Sequence, residues 1–224
     1  MIETGVTFGN VHSFRGLDLI LSGVEISPAA PKTTYIELPG GDGAIDLSEA
    51  FGEVKFSDRN ISLVFAMNPA SGLSEAAWEE KKTEVSNVLN GLACKIILDK
   101  DPDYYWDGRC TVDTYKSQKH LRQFVVSARV RPYKNKLYET VMPVSLGVIG
   151  GASVTKNIKL MNSRKSVCPL ITCTGETSIV FNGNRYTLSA GTHKVLNIRL
   201  LHGENRLTLS GYGTVRFTYQ EADL

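Results

Sequence analysis

The chain has 224 residues, 42% of them hydrophobic and 21% charged, with a net charge of +2; this is the balance of an ordinary globular protein large enough for one or two cores. So small a charge makes no case for nucleic acid or a membrane as partner, and no run of about 18 apolar residues is present to span a bilayer. Four scattered cysteines (Cys94, Cys110, Cys168, Cys173) make no disulfide framework, and the opening MIETGVTFGN has neither a basic nor an apolar segment, so no signal peptide is expected and the thiols are expected to stay reduced in a cytoplasm.

In chain order, the first strand signals are TTYIEL and VKF…RNISLVFAM, the latter alternating with Ile61, Leu63, Phe65 and Met67 on one face. Between them stands LPGGDGAIDLSEAFG, residues 38 to 52, far longer than the two to five residues of a plain hairpin turn. Such a segment either holds a structure of its own or touches something outside the domain. Gly40, Gly41 and Gly43 permit unusual backbone, Asp42 and Asp46 can hold turns by accepting from nearby amides, and SEAFG can make one helical turn presenting Phe51. These six residues are the candidate contact with something outside the domain, and under the resemblance drawn below they are the candidate subunit interface. The alternative is a surface loop packed on itself.

A helix comes next, over SEAAWEEKKTEVSNVLNG, capped by Ser74 and ended at Gly91, with Trp78, Val85, Val88 and Leu89 as its apolar stripe. LACKIILDKDPDYYWDGRCTV reads as a hairpin turning at Asp99–Asp103, with Cys94 and Cys110 nearly opposite each other. FVVSARVRP alternates with Phe124, Val126, Ala128 and Val130 inward. The expected arrangement is a β-rich α+β domain with one helix on an antiparallel sheet or open barrel.

Composition shifts near the small-residue stretch VSLGVIGGASV. Residues 1–145 hold sixteen Lys/Arg against nineteen Asp/Glu, and residues 146–224 hold nine against four. Two domains are expected, 1–146 and 147–224, in a mainly β protein. The second reads as a small antiparallel sandwich, its strands punctuated at Asn182-Gly183, Gly203-Glu204-Asn205 and Gly211-Tyr212-Gly213.

Chemistry is hard to find. The four histidines lack metal-ligand spacing. DKDPDYYWD puts aspartates at calcium-loop positions, but Tyr104 takes the glycine position and Cys110 the bidentate carboxylate position. GVIGG lacks the Lys-Ser/Thr of a phosphate loop, and no G-x-S-x-G occurs. No catalytic residue, cofactor or metal is assigned. A sandwich also invites sugar binding, by rings stacked on exposed aromatics. Phe181, Tyr186, Tyr212, Phe217 and Tyr219 are the aromatics available, and Phe217/Tyr219, two apart on one strand, fit a core.

Taken in order, SFRGLDLIL (13–21), YIELPGGDGAIDLS (35–48), KFSDRNISLVF (55–65), VSNVLNG (85–91), DPDYYWDGRCTV (101–112) and GENRLTLSGYGTVRFTY resemble the distal tail proteins of long non-contractile-tailed phages of Gram-positive bacteria. The resemblance implies a virion tail-tip (baseplate) structural protein, assembled in the host cytoplasm. Its N-terminal domains would form a hexameric ring and its C-terminal galectin-like sandwiches would project outward. It implies as partners other copies of the chain, the tail tube protein, the tail spike or tail-associated lysin, and receptor-binding proteins. Some relatives carry an inserted carbohydrate-binding module, for which this chain has no room. The other readings are a carbohydrate-binding adhesin and, more remotely, a hydrolase of cell-wall polymer.

Overall fold

The computed structural model describes residues 5–50, 52–69, 74–118, 121–149 and 152–224. The protein is mainly β, and its chain divides into two compact units, Met1–Lys134 and Asn135–Leu224.

The first unit begins with β1 (Val6–Phe8), β2 (Val11–His12), a short helix α1 (Ser13–Leu17) and β3 (Leu19–Ile26). Small strands β4 (Pro31–Lys32), β5 (Tyr35–Glu37), β6 (Ala44–Asp46) and β7 (Lys55–Phe56) precede β8 (Arg59–Met67). Then come α2 (Glu75–Leu89), β9 (Ala93–Leu98), β10 (Tyr104–Gln118) and β11 (Leu121–Val130), and β12 (Lys134–Lys136) runs across the boundary, with Asn135 and Lys136 in the second unit. Antiparallel strands run in the order β2-β1-β9-β10-β11-β8-β3, an open sheet whose edge is β3. The alternation in β8 and β11 has its expected consequence: Ile61, Leu63, Phe65, Phe124, Val126 and Ala128 are wholly buried on one face.

Helix α2 covers that face. Ser74 Oγ accepts from the Ala77 amide at its N-terminus, and Gly91 at φ +81° ends it, as the sequence predicts. Trp78, Val85 and Leu89 are buried, and the Trp78 ring lies 4.7 Å from that of Phe124. The second helix, α1, is a difference from the single helix expected. It forms because His12 Nδ1 accepts from the Phe14 and Arg15 amides, while Asp18 closes it in the left-handed region at φ 53°. Histidine is not a favoured cap, and His12 is held in that role by a 3.0 Å contact to Asp99.

The β9–β10 hairpin turns at Asp99–Asp103 as expected, but its register sets Cys94 opposite Gly108. Cys110 is therefore offset from Cys94 along the ladder, and all four cysteines are free thiols.

The second unit contains β13 (Thr140–Leu146), β14 (Val148–Ile149), β15 (Ala152–Asn162), β16 (Leu170–Cys173) and β17 (Thr177–Phe181). It ends with β18 (Asn184–Leu188), β19 (Gly191–His193), β20 (Gly203–Gly211), β21 (Gly213–Tyr219) and β22 (Ala222–Asp223). Two sheets, β13-β21-β16-β19 and β14-β15-β20-β17-β18, give alternate residues to one core, among them Val144, Ile171 and Phe217 from the first and Leu160, Ile179 and Leu209 from the second. This is a sandwich. Two details differ from expectation. Strand β13 lies before the expected boundary at 146/147, yet pairs along its whole length with β21. Gly203-Glu204-Asn205 opens strand β20 rather than forming a turn, because Gly203 to Asn205 pair with Leu160 to Asn162.

Candidate assembly surface

Residues 27 to 58 answer why so long a segment separates β3 from β8. The chain leaves the sheet as a two-stage hairpin. At its base the Ser27 amide donates to Asn60 O (3.0 Å) and the Ser57 amide to Ala30 O (2.8 Å). Strands β4 and β7 pair next, Pro31 with Phe56 and Lys32 with Lys55. Farther out β5 and β6 pair, Tyr35 with Asp46, Ile36 with Ile45 and Glu37 with Ala44. Every residue from 31 to 50 is exposed except the half-buried Ser48. This is an arm, not a loop packed on its own domain.

The candidate residues of the sequence sit mostly at its tip. Gly40 and Gly43 take φ of +77° and +79°, which a side chain would oppose, and the Gly41 amide donates to Leu38 O at 3.1 Å. Asp46 holds the outer turn: its Oδ1 accepts from the Ser48 hydroxyl (2.5 Å) and amide (2.8 Å), which lowers its pKa below the ordinary carboxylate value. Ser48 Oγ in turn accepts from the Thr34 amide, tying the two sides together. Asp42 bonds nothing among the described residues, and Phe51 lies outside them. Over SEAFG the Ala50 amide donates to Leu47 O and the Gly52 amide to Glu49 O, both closing turns of i to i+3.

Sequence reasoning missed the side chains that make this arm a surface. Ile36 and Ile45 are directly paired, and the period of two puts Leu38 and Leu47 on the same side. Their exposures are 49%, 47%, 46% and 37%. Four aliphatic groups on one face of a thin hairpin form an apolar patch with no covering layer among the described residues. The signal was present: YIEL and AIDL each alternate, and each ends in leucine two places after isoleucine. A two-stranded ribbon is marginally stable alone, and exposed contiguous apolar surface marks a site of association.

Among solved structures, the chain is similar to the crystal structure of the SPP1 Dit (gp 19.1) protein, described as a paradigm of the hub adsorption apparatus in Gram-positive infecting phages. The TM-score is 0.59 at 12% sequence identity, over 97% of this chain and 98% of that one. The two chains share a fold. No protein-family model and no curated protein matches the sequence. At this identity the likeness to the SPP1 hub protein is one of backbone path, and Ile36, Leu38, Ile45 and Leu47 take their significance from this chain's own geometry. Among the described residues no group of three or more His, Cys, Asp or Glu could hold a metal ion, and no helix is long and apolar enough to cross a membrane.

Proposed function

We propose that the chain is a non-enzymatic structural subunit of a phage tail tip, which closes into a homo-hexameric ring between the tail tube and the tail-tip hub. In this reading the first unit forms the ring, and the second is a galectin-like sandwich. The assembled protein, made in the host cytoplasm and carried in the virion, anchors the tail spike or tail-associated lysin and receptor-binding proteins. The observation that carries the reading is a fold shared with a hub protein over nearly the whole of both chains.

The arm supports the ring. A closed ring built from one kind of subunit needs two different, complementary patches on each copy. The aliphatic face of Ile36, Leu38, Ile45 and Leu47 serves as one. The other is the open edge strand β3 of the next copy, where Ile20 and Val24 are 39% and 36% exposed. An open edge offers unpaired backbone groups to an incoming strand, so the contact combines apolar burial with main-chain bonding.

Light scattering of the purified protein, with negative-stain images of the same sample and of it mixed with the tail tube and tail spike proteins, tests this reading. A mass of six chains and ring-shaped particles are expected. A monomer in every sample, with no rings in the mixtures, overturns it.

A further inference from the structure

The second unit settles which of its aromatics are core. Phe181, Phe217 and Tyr219 are buried, whereas Tyr212, in the turn between β20 and β21, is 52% exposed. Its position is built in. The ring lies against the bare backbone of Gly175, where a Cβ would stand 2.6 Å from a ring carbon. Gly211 turns the chain at φ +140°, with a Cβ position only 2.3 Å from Glu176 O, and the Tyr212 amide donates to that same oxygen at 3.3 Å.

Beside Tyr212 is a depression of about 350 Å³ lined by Glu176, Ser178, Arg185, Thr187 and Ser210. Register makes three of these a row: Ser178 on β17 pairs with Thr187 on β18 and with Ser210 on β20. Farther along this sheet several outward polar groups are engaged with one another. Lys159 and Arg206 both bind Glu204, and the Thr208 hydroxyl donates to Asn157. At the Tyr212 end they are not. The side chains of Glu176, Arg185, Thr187 and Ser210 have no hydrogen bond or ion pair among the described residues, and Ser178 Oγ is buried without a partner. A buried hydroxyl left unpaired is costly and therefore uncommon.

We propose that this depression binds a neutral hexopyranose unit, stacked on Tyr212 and hydrogen-bonded by Glu176, Arg185 and the hydroxyls of Thr187 and Ser210. The chemistry matches point by point. A pyranose has an apolar face of C–H groups for an aromatic ring and a rim of hydroxyls that both donate and accept. One carboxylate and one guanidinium sum to no net charge, which suits a neutral ligand over a phosphate or a nucleic acid. Tyr212 also borders a second depression of about 500 Å³, lined by Thr174, Ser189 and Ala190, so the platform stands between two hollows as adjacent sugars of an oligosaccharide require. The site lies wholly in the second unit and does not depend on ring formation.

The test is an amide-resolved NMR titration of the full chain with D-glucose, D-galactose, N-acetyl-D-glucosamine and the disaccharides of each. At least one probe is expected to give saturable shifts confined to residues 174–178, 185–190 and 210–213. Tyr212→Ala is expected to weaken that binding roughly tenfold, and Tyr212→Phe, which keeps the ring, to preserve it. Either saturable shifts that survive Tyr212→Ala in a folded variant or no saturable shift with any probe overturns the proposal. Should Tyr212→Ala fail to fold, Glu176→Gln and Arg185→Gln replace it; binding unaffected by both is equally fatal.

Discussion

Glu221 shows how much one residue can organise. It is 7% exposed, and its carboxylate accepts from Thr140 Oγ1 (2.5 Å), Lys136 Nζ (2.9 Å) and Ser163 Oγ (2.9 Å). Burial alone would push its pKa up. The three hydrogen bonds and the nearby Lys136 charge outweigh that, and the group sits below its ordinary value near 4.5. A depressed carboxylate stabilises the fold above its unfolded pKa, and the contribution is lost as pH falls through the folded pKa. Glu221→Gln is therefore expected to cost about 1–3 kcal/mol at neutral pH, read from urea unfolding curves, with the gap to the parent protein closing in acid below about 4.5. Tyr219 acts at the other end of the scale. Burial first, and the Glu221 charge second, push its pKa up to about 12 from 10.0, so its share of stability is whole below pH 10 and is lost as pH rises toward 12. None of this was legible in the sequence: Lys136, Thr140, Ser163 and Glu221 share no spacing, and only the closing of the sandwich brings them together.

At the scale of elements, what could be read was what alternates or caps. Strands β8 and β11 and helix α2 follow from period and from Ser74, because one face of each must be buried in one core. In the sequence the arm looks like a junction because glycine and proline dominate its tip, and the short alternation on either side is too brief to outweigh them. Its apolar face makes a sharp prediction. Ile36 and Ile45 are directly paired and exposed, so the double change Ile36→Ser, Ile45→Ser removes little from the monomer, within about 0.5 kcal/mol as for other surface changes. An apolar anchor buried at an interface contributes more, up to a few kcal/mol, and a ring repeats the loss at every contact. The variant is expected to keep its melting temperature as a monomer and to lose rings in negative stain. Rings of normal size and stability would instead place the subunit contact elsewhere, with α2 and the β9–β10 hairpin the next surfaces to alter.

At the scale of the whole chain, the two units differ from the two expected domains by residues 135–146, and strand β13 among them decides what can fold alone. Charge and the small residues around Gly147 drew the boundary at 146/147, since composition registers a change of surface rather than a change of partner. Strand β13 matches the first unit in composition, but its hydrogen bonds are all made within the second. It pairs with β21 from Thr140↔Tyr219 to Leu146↔Gly213, buries Val144 and Leu146 in the sandwich core, and supplies Thr140 to Glu221, to which Lys136 also binds. A fragment starting at residue 147 exposes the edge of β21, opens the core beside Val215 and Phe217, and leaves a buried carboxylate short of two donors. The two lost core side chains alone cost about 1.5–3 kcal/mol each, and removing donors from a buried charge adds to that. Against a domain stability of about 5–15 kcal/mol, this is enough to unfold it or bring it close. The fragment 135–224 is thus expected to give dispersed NMR amide signals and a cooperative melt, and 147–224 to give neither. Two equally well-folded fragments would mean that β13 is an appendage and that the sandwich closes without it.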